Sequence, residues 1–429
     1  MRFSIQPILR AMLVLSFFVG SDGFASEITD AEKMPRAITL QEAVSRALAN
    51  NPGIGAANID VDIQRARRDA AALSTPYTLR ADVENVGGSG VVAGFDAAET
   101  TVSLSKVVEL GDKRRLRTEL GDTQVALAEL NVSVRALELS AEVSRRYADV
   151  LRRQEQQSLS NEGVALGRNT LEIVERRVAV GRASEAERSS AVVASSRTRL
   201  LKNRLTFELD GSRAGLASLW GKSTPDFERV SGDIYSIPPL AAFGELEARL
   251  ANNPELSQLA TESRIRSAAH RLAESTQRPD IEILAGVRHL ADTDDAAMVL
   301  SLNVPFGSKR RNEPLVREAN DRLAQLPFSQ QERELQLRAA LYGFFQSLLA
   351  SRAELDGLRA SIIPEAENAV TFYQRGYEIG SNSLLELLAA QEQLLALKNE
   401  ALGAASSYHL TLIEIESLLG NSNPGGALK

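Results

Sequence analysis

The 429-residue chain contains no cysteine. That absence excludes disulfides, thiolate metal sites, a cysteine nucleophile and a lipid-anchored N-terminal cysteine. Aromatic residues are scarce at 5%, with one Trp, and the three histidines (His270, His289 and His409) stand far apart. No His-x-x-x-His pair or carboxylate cluster with metal-ligand spacing accompanies them, so neither a metal site nor a cofactor is expected. Nucleophile elbow and phosphate loop are missing too, and the chain does not read as an enzyme. The net charge of −7 points away from a nucleic-acid partner. Past residue 25 no run is apolar enough for a membrane helix, and between Gly111 and Pro225 there is no proline.

What is present is a helix-forming composition rich in Ala, Leu, Glu, Arg and Gln. At the N-terminus, Arg2 and Arg10 precede an apolar run, Ala11 to Gly20, and small residues follow up to Ala25. The run is about half the ~20 residues of a spanning helix. Residues 1–25 are therefore expected to be a cleaved export signal.

The stretch from Thr100 to Arg115 sets the pattern of the rest. Thr101 to Val107 alternates in the period of a two-faced strand, breaks at Gly111 and runs through Lys113-Arg114-Arg115 into a long helical pattern. The same design returns as Met298 to Arg311, with Gly307 and then Lys309-Arg310-Arg311. Leu48-Ala49-Asn50-Asn51-Pro52 returns residue for residue as Leu250-Ala251-Asn252-Asn253-Pro254. Gly380 takes the place of Gly181, and Leu419-Gly420 that of Trp220-Gly221. The chain is thus a duplication at a period of about 200 residues. A first repeat is expected over 26–224, a proline-rich linker over 225–239, a second repeat over 240–420 and a tail over 421–429.

Each repeat predicts short helices, a β-hairpin (77–109 and 280–306) and long helices (112–220 and 308–420). The first long helix, from about Asp112 to Ala179, would be roughly 100 Å long. Pro327 and Pro364 are expected to interrupt or kink the second repeat's helix. Leu79, Ala81 and Val83 alternate with Arg80, Asp82 and Glu84. A half-buried strand of a soluble sheet has this period, and so has a transmembrane barrel strand with a polar lumen side. Strands near ten residues suit a tilted membrane crossing. Four strands are too few for a membrane barrel, and open edges in lipid are forbidden, so other copies must complete the wall. Three copies give twelve strands, continued on one side by a helical tube.

The chain resembles the TolC-like outer-membrane efflux factors over nearly its whole mature length. The marks are Leu40-x-x-Ala43-Val44-x-x-Ala47-Leu48-x-x-Asn51-Pro52, the hairpin-to-helix junctions, and Gly380-x-x-Ser383-x-x-Glu386-Leu387-Leu388-x-Ala390-Gln391. Glu109-Leu110-Gly111-x-Lys113-Arg114 looks most like the heavy-metal (CzcC-type) branch. The resemblance implies a mainly α fold with a small β part. A homotrimer would form a 12-stranded barrel in the outer membrane of a Gram-negative bacterium, with a periplasmic helical tube. It further implies a passive exit duct for heavy-metal cations that meets a periplasmic adaptor and an inner-membrane RND-type pump. Drug or secreted-protein cargo stays open, and from another class so does a soluble periplasmic coiled-coil scaffold.

Gly181-Arg182-Ala183-Ser184 and Gly380-Ser381-Asn382-Ser383 each precede a Glu three residues beyond the Ser, Glu187 and Glu386. Helical-hairpin turns with N-terminal caps account for this spacing. The resemblance adds adaptor docking at Gly181, Ser184, Gly380 and Ser383 and a tunnel entrance at Glu386 and Glu187. Lys113, Arg114, Arg115, Lys309, Arg310 and Arg311 sit at helix N-termini, where the helix dipole disfavours cations. A periplasmic membrane rim, where they reach outer-membrane lipid, is one reason for them there; a solvated basic turn is the other. Arg80, Asp82, Glu84, Glu282 and Arg288 are expected to face a lumen, and Tyr77 and Phe306 to supply a thin aromatic girdle.

Overall fold

A computed structural model describes residues 37–421; the expected export signal and the tail past Asn421 lie outside the described residues. The described chain opens with a two-residue strand, β1 (Ala37–Ile38), and two helices, α1 (Leu40–Asn50) and α2 (Pro52–Ala72). Thr39 caps α1 in a capping box with Glu42. Asn51 then ends α1 and caps α2, whose first residue is Pro52, where the missing N–H is harmless. A hairpin follows, β2 (Tyr77–Glu84) and β3 (Glu99–Val108), leading into α3 (Lys113–Ala179) and the returning α4 (Glu185–Ala217). The linker contributes β4 (Arg229–Val230), parallel to β1.

The second repeat lays down the same elements. They are α5 (Phe243–Arg249), α6 (Pro254–Ser275), β5 (Ile281–Leu290), β6 (Asp295–Asn303), α7 (Ser308–Gly357), α8 (Ile363–Ile379) and α9 (Leu384–Leu418). The hairpins join into one antiparallel sheet in the order β2-β3-β5-β6, so β2 and β6 are its edges.

The 67 residues of α3 span about 100 Å without a break. It is the spine of the fold. Near the sheet it packs on α2 and α6, and toward its far end on α4 and α9, with α7 and α8 outermost in the second repeat. The order across the upper helices is therefore α2-α3-α6-α7, and across the lower ones α4-α3-α9-α8. This multiple packing explains why the apolar positions of α3 exceed a single seam. The largest core lies midway, where Leu139, Val143, Tyr147, Val150 and Leu151 of α3 meet α1, α4, α9 and the linker. Tyr147 donates its hydroxyl to the carbonyls of Ile38 (3.0 Å) and Ser231 (2.5 Å), knotting the chain start to the linker.

The repeated Asn-Asn-Pro motif has a structural purpose. The Asn51 amide donates to the Leu219 carbonyl at 2.8 Å, and its oxygen accepts from Gly53 N. Asn253 donates to the Leu418 carbonyl at 2.7 Å and accepts from Glu255 N and Leu256 N. One side chain thus caps its own helix and clips the end of the repeat's last helix, once in each copy.

At Pro327 the helix is not interrupted. Helix α7 runs on through Pro327, and through Pro314 as well. The lost N–H and ring clash of a helical proline disfavour this by about 3 kcal/mol, and packing of α7 on α6 and α9 outweighs it. At Pro364 the expectation is met: a π-helical turn, Leu358–Ile362, separates α7 from α8 just before it.

Candidate functional site: the strand wall and the helical tips

The sheet register sorts the strand residues into two faces. Thr101, Ser103 and Ser105 of β3 are buried on one face, while Val102 and Leu104 are exposed on the other. Through the pairing, Leu79, Val83, Ile283, Val287, Met298, Leu300 and Leu302 share the exposed apolar face. Arg80, Asp82, Glu84, Glu282 and Arg288 fall on the polar face with the three hydroxyl residues. Gly286 stands opposite Ser103 on that face, and a Cβ there would come within 2.6 Å of the Val102 carbonyl. Close approach of the two strands requires glycine at this point.

At the end of the sheet away from the helices, Glu84, Glu99 and Asp295 stand in one row of the polar face. Arg288, one row below, pairs with Glu99 at 2.6 Å and Glu84 at 3.3 Å and donates to the Thr101 hydroxyl at 3.0 Å. Three carboxylates against one guanidinium leave this end acidic. No helix among the described residues is long and apolar enough to cross a membrane, and none of their His, Asp or Glu side chains cluster in a way that could hold a metal ion.

At the other extremity, both hairpin turns use a left-handed glycine, Gly181 at φ +71 and Gly380 at φ +91. That conformation ends one helix without a Cβ penalty. Ser184 accepts from Glu187 N at 3.2 Å, and Ser383 accepts from Glu386 N at 3.3 Å. Only the second turn closes the full capping box, since Ser383 N donates to the Glu386 carboxylate at 2.7 Å. The backbone N–H and hydroxyl of Ser383 hold the exposed Glu386 carboxyl below the ordinary range. Glu187 is engaged across the hairpins, accepting from the Tyr377 hydroxyl at 3.2 Å. Burial, and then the Glu187 charge, raise that phenol's pKa. Arg177 lies 4.3 Å from the Tyr377 ring centre and donates to the Tyr377 and Arg182 carbonyls.

The basic triplets part company. Lys113 bonds Asp280 at 2.6 Å and the Arg278 carbonyl at 2.8 Å, so it fastens the start of α3 to the foot of β5. Arg115 pairs with Asp112 and Glu119, while Arg114 is exposed. Lys309, Arg310 and Arg311 are all exposed, and none bonds or pairs through its side chain among the described residues.

Sequence reasoning missed several residues that hold the tube together. Lys398 of α9 pairs with Glu162 of α3 at 2.7 Å and Glu367 of α8 at 2.9 Å. Burial works against its charge, but the two carboxylates prevail and its pKa is raised. Gln391, a motif residue with no assigned role, donates to Thr170 at 2.9 Å inside the bundle. Buried His409 sits 3.0 Å from the Ile234 carbonyl. Apart from Lys398 and Glu367, these partners lie 175 to 236 residues apart, and no local spacing signals them.

The profile of the family described as outer membrane efflux protein matches residues 246–421, the second repeat. The cobalt-zinc-cadmium resistance protein CzcC of Cupriavidus metallidurans is 25% identical over 386 residues, covering 89% of this chain and 90% of that protein. The second repeat thus matches the outer membrane efflux protein family. At 386 residues the likeness to CzcC extends well beyond the profile match, into the first repeat. The nickel-cobalt-cadmium resistance protein NccC of Alcaligenes xylosoxydans xylosoxydans is 23% identical over 66% of this chain and 64% of its own length. Among solved structures, the channel protein CusC shares the fold at a TM-score of 0.74 and 15% identity, over 92% of this chain and 95% of that one. The matched family is described as one of outer-membrane efflux proteins, and the CusC structure as that of a transmembrane channel.

Proposed function

We propose that three copies close into a ring and form the passive exit duct of a tripartite efflux system for heavy-metal cations. One observation carries this reading: each chain has two unfinished edges that match. On one side lie β2, α2 and α4; on the other lie β6, α7 and α8. Both edges expose apolar side chains at seven-residue spacing. Val193, Leu200 and Phe207 mark α4, Phe372 and Ile379 mark α8, and Phe328, Leu335, Tyr342 and Leu349 mark α7. Phe207 and Phe328 are 75% and 74% exposed in the single chain, a large unburied payload for such residues. A head-to-tail contact pairing one edge with the other generates a ring, and three copies supply twelve strands. The apolar strand face would then meet lipid and the hydroxyl and charged face would line a water-filled lumen.

The cation cargo is supported by the resistance functions named for CzcC and NccC and by the acidic row at the outer end of the sheet. Gly181, Ser184, Gly380 and Ser383 shape the tips that an adaptor protein and, behind it, an RND-type pump would meet. Glu386 and Glu187 would border the entrance, Glu386 exposed but held by Ser383 and Glu187 tied to Tyr377.

The deciding experiment is membrane fractionation followed by mass determination of the detergent-solubilised protein. A three-chain mass from the outer membrane is expected. A one-chain or two-chain mass sinks the ring, and loss of the gene without loss of zinc, cobalt or cadmium tolerance sinks the cargo.

A further inference from the structure

One row is the last of the exposed face to cross all four strands. Tyr77, Lys106, Ile283 and Leu302 are successive cross-strand partners, all on the exposed face, at the end nearest the helices. The Lys106 ammonium lies 4.4 Å from the Tyr77 ring centre. Four residues past Leu302 comes Phe306, which is 96% exposed, and directly after the Gly307 turn come Lys309, Arg310 and Arg311. The Asn312 amide donates to the Thr276 carbonyl at 2.6 Å, fixing which side of α7 faces α6. At 100° per residue, Arg310 then points nearly opposite to that contact.

We propose that this junction binds the phosphate of an anionic phospholipid in the periplasmic leaflet of the outer membrane. The inference rests on the reading of the sheet as a membrane wall closed by three copies. Three adjacent cations lack any partner among the described residues, although they stand in the first turn of a helix, where the dipole repels them. In the first repeat the equivalent strain is relieved within the chain, since Asp280 and the Arg278 carbonyl take up Lys113. No such acid serves the second triplet. In the proposed ring the edge that would meet β6 is β2, whose helix-proximal row carries Tyr77 with Lys106 beside it, and neither supplies a negative charge. The missing negative charge must therefore come from outside the protein. Phe306 and the apolar face above it place the cations where a hydrocarbon layer ends and phosphates begin. A ring of three would hold three such sites, each completed by Lys106 of the next copy.

The test uses the full-length trimer in neutral detergent, titrated with phosphatidylglycerol or phosphatidylcholine and followed by native mass spectrometry. Preference for phosphatidylglycerol is expected in the wild type and is expected to vanish in 0.5 M salt. Each basic residue near an anionic surface strengthens binding about fivefold, so K309Q/R310Q/R311Q should weaken phosphatidylglycerol binding by about a hundredfold. Arg168→Gln, far down the tube on α3, should leave it unchanged. Equal binding of both lipids, or a triple variant that keeps the preference, overturns the inference. Should the triple variant fail to assemble, R310Q alone, expected to weaken binding about fivefold, decides in its place. The same spectra report the number of chains: a trimer without lipid preference removes this inference alone, and no trimer removes the ring.

Discussion

In the first repeat, Lys113 reaches Asp280 and the Arg278 carbonyl and is almost covered; in the second, Lys309 occupies the matching position and meets nothing. Both follow a left-handed glycine and open a long helix. The duplicated plan is therefore a plan for the backbone, and the side chains at matching positions have been put to different uses. The same holds elsewhere. Ser383 closes a full capping box whereas Ser184 makes half of one. The position aligned with buried His409 is Asp210, an exposed residue paired with Arg213.

The contrast at the helix junctions should give the largest effect. Lys113 is 11% exposed, and Lys113→Met leaves Asp280 with only the Leu110 N–H, at a cost of about 2 kcal/mol to the assembled protein. Lys309→Met should stay within about 0.5 kcal/mol in lipid-free detergent. Denaturation midpoints of the two variants check this, and equal losses would erase the distinction between the junctions. A smaller difference is expected at the tips. Ser383→Ala should cost about 1 kcal/mol and speed hydrogen exchange at the start of α9, with less change at the start of α4 in Ser184→Ala. Exchange that responds alike at both would mean that the extra bond to Glu386 is idle.

The mildest contrast depends on pH. Burial lowers the His409 pKa below its ordinary 6.5, with the Ile234 carbonyl and Asp233 opposing less strongly. Its folded form thus binds fewer protons than its unfolded form. The stabilisation is complete above about pH 6.5 and fades as pH falls through that value toward the lowered one. Acidification from pH 7.5 to 5.5 should lower the unfolding midpoint by more in the wild type than in His409→Gln. An identical pH dependence would show that this histidine is not the group responsible.

Much of the architecture was legible in the sequence because it is written locally. Strict alternation from Leu79 to Glu84, the residue-for-residue return of Leu48 to Pro52, and glycine before serine at both tips each reveal a local element and, together, a duplication. What stayed hidden is long-range. Asn51 reads as a helix stop, and its second bond to Leu219, 168 residues away, has no local trace. Arg288 reads as one more polar strand residue until the β3–β5 register places it beside Glu99. The six basic residues read as equivalent since their triplets are identical; only the fold shows that Asp280 stands by the first.

The unfinished edges of the sheet have a kinetic meaning as well as a geometric one. Pairing of β2 with β3 and of β5 with β6 joins neighbours in sequence, and pairing of β3 with β5 closes a longer loop within one chain. The seams that complete the proposed wall have no intramolecular route at all. Their rate is set by encounters between chains, and the stability of the finished wall by how many copies share the membrane.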